Sequence, residues 1–162
     1  LVGSEMCIRD SYTGEQIFEK IERAGFFVGC VSPMNASNKL KNPAYFIPDP
    51  WTNTVCDSSF TSRIVHRAIK QAVNDNSEGK INISTYIALG WVLLTKTQIK
   101  NWPTYANLFL KRKKRWNKAL FLDLLLTDIF INLKKKKQDN FSCLFLNAFA
   151  HVQHHNLLNS NM

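Results

Sequence analysis

Close cysteine pairs are missing from this chain. Cys7, Cys30, Cys56 and Cys143 are spread over 162 residues with no CxxC spacing. That excludes a zinc ribbon and argues against a disulfide framework, so the thiols read as small buried apolar residues. Prolines are few, and four of the five (Pro33, Pro43, Pro48 and Pro50) fall in one stretch. There is no internal repeat and no low-complexity linker, which excludes a solenoid or an array. Long apolar runs are also missing. The longest apolar segment, 119–133, carries Asp123 and Asp128 and is too short to span a bilayer, so no transmembrane segment is expected. Acids are outnumbered by bases, 12 to 21, which gives a net charge of +9 and a pI near 9.5. Such a balance favours anionic partners or substrates and says nothing about fold. What is present is a globular composition, 45% hydrophobic and 20% charged, in a chain long enough for one domain with its own core.

The first eleven residues, "LVGSEMCIRDS", begin without methionine and show no secretory leader pattern. The string resembles the translated read-through of a sequencing adapter at the end of a metagenomic reading frame. It is set aside as non-native, because such scars do not belong in fold reasoning. The expectation is therefore a fragment that starts mid-protein near Tyr12, with its authentic N-terminal region missing and its compartment unread.

Apolar periodicity organises the rest. In 14–24, Ile17, Phe18, Ile21 and Ala24 recur at helical spacing and Gly25 supplies a stop. "FFVGCVS" then reads as a buried strand. The segment 33–53 reads as a long loop, with Pro48 and Pro50 excluding a central strand there. Loops of this length in compact domains are functional or disordered, and Tyr45, Phe46 and Trp51 argue for order. Helices are expected over 57–73 and 83–99, with a turn at 74–80 and a break at Trp102–Pro103. Helix formers dominate 104–137, and "FSCLFLNA" from 141 reads as a strand. The whole reads as one α/β domain over 12–162 with a helical insertion at 57–137. The strand at 141–146 is expected to pair in parallel with 26–31, or to lie one strand away.

Chemistry concentrates after that last strand. Of four histidines, three (His151, His154 and His155) fall within five positions. Ligands collect at the carboxyl ends of strands in open α/β sheets, and Asn147 sits at such an end. A helical turn there puts His151 and His155 at i and i+4 on one face, a spacing that lets two imidazoles meet one zinc ion, with His154 on the same side. Packed or solvent-facing histidines are the plainer alternative.

These residues carry a family resemblance. "NAFAH" resembles the second-half metal motif of the alkaline phosphatase superfamily, an acid, three residues and a histidine, written D-x-x-G-H in nucleotide pyrophosphatases and type I phosphodiesterases. "GEQIFEKIERAGFFVGCVSPMNA" is similar to the helix and strand after that family's nucleophile, and "NPAYFIPDPWTNT" to the proline and aromatic loop that follows. The resemblance covers about 12–57 and 138–161. It implies an incomplete three-layer sandwich and a hydrolase or transferase acting on an anionic small-molecule phosphate ester, with sulfate esters as the lesser alternative. It implies two divalent metal sites in the intact parent, zinc, or one calcium in a sulfatase-like protein. Asn147 and His151 would be metal ligands, and His154 and His155 would ligate or bind substrate. Asn147 departs from the family's Asp, and a neutral amide is the weaker ligand for a dication. The nucleophile is expected outside this chain, which alone would be inactive.

Asn35, Asp49 and Trp51 are the candidate residues for a substrate cleft, set against an ordinary surface loop. The runs "KRKKR" and "KKKK" suit nucleic acid or anionic lipid, or are solvated helix faces. No RNA-binding signature or zinc-finger spacing accompanies them. A basic α/β module binding anionic polymers and a non-catalytic member of the superfamily are the alternative readings.

Overall fold

Three short strands form one parallel sheet, in the order β2-β1-β3. The computed structural model describes residues 14–78, 83–111, 115–149 and Gln153. Its elements are α1 (Ile17–Arg23), β1 (Val28–Val31), β2 (Tyr45–Ile47), α2 (Phe60–Glu78) and α3 (Ile83–Lys96). A 3-10 turn (Ile99–Asn101), α4 (Trp102–Leu110), α5 (Arg115–Lys136) and β3 (Phe141–Leu144) follow. The class is mixed α/β. β3 pairs in parallel with β1, with Cys30 opposite Cys143, and β2 pairs in parallel on β1's other side, with Cys30 opposite Phe46.

Alternation along the strands sorts side chains between two faces. Val28, Cys30 and Phe46 cluster on one face with Phe18 and Ile21 of α1. Val31, Tyr45 and Ile47 cluster on the other with Val65 and Ile69 of α2, Val92 of α3, and Leu125 and Ile129 of α5. The helices of 57–137 therefore share a core with the sheet. Gly29 is the exception in β1. A Cβ built there would lie 2.3 Å from the Tyr45 ring, so the phenol crosses the strand where glycine leaves room. Its hydroxyl donates to Asp139 Oδ2 at 3.1 Å. Lys134 Nζ donates to Ser142 Oγ at 2.7 Å and to the same Asp139 oxygen at 3.4 Å.

The element ends have local causes. Gln16 N–H donates to the Glu19 carboxylate at 2.8 Å to open α1. Gly25, with φ +89°, closes it, in the left-handed conformation that glycine adopts without a Cβ penalty. Glu22 accepts from the backbone N–H groups of Lys41 and Asn42 and ties α1 to the segment before β2. Asp57 closes the outer edge of β2. Its carboxylate accepts Phe46 N–H at 2.7 Å and its own N–H donates to Phe46 O at 2.9 Å, which blunts an edge open to further pairing.

Three expectations need correction. The segment 33–53 holds β2, because Pro43 and Pro48 frame rather than interrupt its three residues. Pro43 precedes the strand and Pro48 follows it, so no ladder N–H is lost. Pro103 does not stop α3, which ends at Lys96; it stands in the first turn of α4, where a missing N–H costs nothing. The stretch 104–137 is two helices parted near Lys111, whose carbonyl accepts from Asn117 Nδ2 at 2.8 Å. Five consecutive bases, 111–115, repel one another along a continuous helix. In addition, α2 starts at Phe60, after Asp57 accepts Ser59 N–H at 2.7 Å, and runs to Glu78 through most of the expected turn.

One buried hub holds the helical layer. Asp128, 1% exposed, accepts from Gln98 N–H, Gln98 Nε2, Asn101 Nδ2 and Tyr105 Oη at 2.8 to 3.1 Å. Every donor is neutral and comes from the 3-10 turn and its flanks. Tyr105 also packs edge-on against Phe121 at 5.3 Å.

Burial first, then the carboxylates of Asp139 and Asp128 beside them, raises the phenol pKa values of Tyr45 and Tyr105. The unfolded phenols lose their protons near pH 10 while the native ones keep them, so the native state binds more protons and stability falls with rising pH. The midpoint of urea unfolding is therefore expected to drop above about pH 10. Tyr45→Phe and Tyr105→Phe should each flatten that drop. An unchanged alkaline slope in both variants contradicts the assignment.

Candidate functional site

Parallel strands end on one side of the sheet, so the segments after β1, β2 and β3 gather at a single edge. After β1 the chain turns sharply: Ser32 and Asn35 hold φ of 54° and 57°, in the left-handed region where side chains other than glycine are uncommon. Ser32 N–H donates to Ile47 O at 2.7 Å, and Asn35 N–H donates to Asp49 Oδ2 at 3.2 Å. Asp49 is buried, 2% exposed. Its Oδ1 accepts Trp51 N–H at 2.9 Å and Thr52 N–H at 2.8 Å, and its Oδ2 also accepts the Thr52 hydroxyl. Asp49 thus staples the segment after β1 to the one after β2. The side chains of Asn35 and Trp51 are exposed at the same edge.

The end of β3 is fixed in a similar way. Asp123 of α5 accepts Asn147 N–H at 3.1 Å and Ala148 N–H at 2.7 Å, one on each carboxylate oxygen, and so caps the helical turn that opens at Ala148. Asn147 is held through its backbone, half-buried. Asn35, Asp49, Trp51 and Asn147 thus share one edge. His151, His154 and His155 lie outside the described residues.

These carboxylates bear on the metal expectation. Among the described residues no three His, Cys, Asp or Glu side chains are grouped to hold a metal ion. Asp49 and Asp123 are engaged by N–H and O–H donors. Asn147, the ligand expected from sequence, carries a neutral amide, a less usual ligand for zinc than a carboxylate.

The fourth histidine lies within the described residues. His66, on α2, has its Nε2 buried and without a hydrogen-bond partner among the described residues. Burial first, then the Lys70 charge, lowers its pKa, with Asp49 acting the other way. The imidazole is thereby biased towards its neutral form. Helical periodicity over 57–73 absorbed this residue and hid it from the sequence reading.

An open depression of about 580 Å³ lies at the opposite edge, where the strands begin. It is lined by Phe27, Leu40, Lys41, Cys56, Ser59 and Lys137, among others, and none of Asn35, Asp49, Trp51 or Asn147 reaches it. The Cys56 thiol there has a raised pKa, from burial and then from Asp57, so it is not an activated nucleophile. The carboxyl edge is the better candidate, because converging loop residues and a turn N-terminus meet there. Comparison of the chain with protein-family models, with curated proteins and with solved structures returned no match.

Proposed function

We propose that the chain is part of a metal-dependent hydrolase acting on phosphate esters, of the alkaline phosphatase superfamily type, with a three-layer sandwich in the intact parent. The observation that carries the reading is the parallel pairing of β3 beside β1, with Cys30 opposite Cys143. That register brings the residues after β3 to the edge where the loops after β1 and β2 begin. The "NAFAH" motif is read as part of a site there, with Asn147 and His151 as ligands of a divalent cation, zinc in the first instance. A bound cation of this kind supplies Lewis-acid stabilisation of the attacking and leaving oxygens at phosphorus.

The chain's own residues have separate tasks on this reading. Asp49 fixes the loops, Asn35 and Trp51 contact the substrate, and His154 or His155 ligates or binds its anionic group. Asp123 holds Asn147 in place through the backbone. The nucleophile lies outside these 162 residues, so the isolated chain does not turn over a phosphate ester.

Zinc titration of the purified, untagged chain by calorimetry tests the proposal. The expected result is binding that His151→Ala weakens by at least about tenfold, roughly 1.4 kcal/mol, while His66→Ala leaves it unchanged. Absence of zinc binding, or binding indifferent to His151→Ala, overturns the metal assignment. Turnover of p-nitrophenyl phosphate by the chain alone overturns the placement of the nucleophile.

A further inference from the structure

The positive charge of the chain is concentrated in one segment. Residues 81–122 contain eight Lys and Arg (96, 100, 111–115 and 118) and no Asp or Glu, against a net charge of +9 for the whole chain. The remainder is close to neutral. The same segment exposes apolar side chains. On α4, Trp102, Ala106, Phe109 and Leu110 fall at i, i+4, i+7 and i+8, which places them on one face, and all four are exposed. Ile99 continues that stripe from the 3-10 turn. Ile99 is 76% exposed and Leu110 79%, while Tyr105 turns into the core to meet Asp128. Exposed Lys100 and Lys111 stand at the two ends of the stripe, and the bases at 112–115 continue it in sequence.

We propose that this face of α4, with the 3-10 turn before it and Lys100 and Lys111 at its two ends, docks onto an anionic lipid bilayer surface. The pairing of an apolar stripe with flanking lysines suits the headgroup boundary. Aliphatic side chains enter the acyl region there, and long basic side chains reach back to phosphate. A surface of negative lipid headgroups supplies the complementary charge that 81–122 lacks internally.

Two other occupants fit less well. Nucleic acid would use the bases, and aromatic rings as stacking platforms, but it leaves Ile99 and Leu110, the most exposed positions of the stripe, without a partner. A second copy would bring two acid-free basic surfaces into contact, and like charges across an interface oppose association. The helix lies on the bilayer rather than through it: no helix among the described residues is long and apolar enough to cross a membrane.

Co-sedimentation of the full chain with vesicles is the test. Binding is expected to phosphatidylserine–phosphatidylcholine vesicles and to be much weaker with phosphatidylcholine alone, falling as salt rises. The double variant Ile99→Ser with Leu110→Ser should reduce partitioning by at least about tenfold, since two aliphatic side chains leave the acyl boundary. Both sites are exposed, so its unfolding midpoint should match that of the parent chain. Lys100→Glu with Lys111→Glu should reduce binding and flatten its salt dependence. Equal binding to both vesicle types, or no loss in the serine variant, overturns the proposal. So does a dimer in light scattering that the serine variant dissolves.

Discussion

Replacing Asp128 by alanine is expected to cost about 3 to 5 kcal/mol of folding stability, measured by urea unfolding. Its carboxylate, 1% exposed, is the common acceptor for four donors from the 3-10 turn and its flanks. Truncation removes those bonds together and leaves the Tyr105 hydroxyl and the Gln98 and Asn101 amides facing a cavity. Each buried donor left unsatisfied costs its own desolvation, about 1 to 3 kcal/mol. Tyr105→Phe removes one donor and leaves the carboxylate three, so its cost should be near 1 kcal/mol. In the double variant the two costs should not add, because the phenol's bond is already gone. Strict additivity, or an Asp128→Ala cost below about 1 kcal/mol, contradicts the hub.

Gly29→Ala is expected to destabilise the chain by about 3 kcal/mol, although alanine is ordinarily the better residue within an element. The new Cβ would lie 2.3 Å from a ring carbon of Tyr45, far inside contact distance. The ring has no easy escape, since its hydroxyl is bonded to Asp139 beyond the strand. Cutting the ring back should relieve the clash: Gly29→Ala made in a Tyr45→Val background should cost less than about 1 kcal/mol beyond Tyr45→Val alone. If alanine at 29 costs the same in both backgrounds, the ring is not what requires glycine.

The legible parts of this chain are those whose physics is local. β1 was readable because a central parallel strand, buried along its length, shows a near-continuous apolar run, and the run at 141–146 is almost as apolar although β3 is only partly buried. β2 was not, because three residues between prolines carry no period. The division of 104–137 into α4 and α5 was hidden in the same way. Composition favours helix throughout, and what decides the break is a five-base run together with a side chain, Asn117, that bonds the Lys111 carbonyl from six residues on. At the candidate site, Asn147 stood out because strand ends collect function, and Asn35, Asp49 and Trp51 because they lie in a long loop within a compact domain; the sheet brings all four to one edge. The tasks of the carboxylates were harder to see. An Asp followed three residues later by Thr is a local signal for Asp49's bond to Thr52. Nothing in sequence connects Asp123 with Asn147, 24 positions away, or Asp128 with Gln98, 30 positions away. Those pairings exist only once the helices have packed.

The strand order has a consequence for how the chain is made. β1 is the middle strand, yet its neighbour β3 lies more than a hundred residues later, and the bond between Phe27 N–H and the Asn140 side chain spans 113 positions. Contacts this distant in sequence close late, after the entropy of a long loop has been overcome. During synthesis the apolar strand Val28–Val31 therefore emerges well before its partner and waits with one edge bare until Phe141–Leu144 arrive. A bare apolar edge is the part of a nascent domain most prone to pair with another chain. Synthesis that stops short of Phe141 leaves that edge open, so β3 serves as the lock on β1.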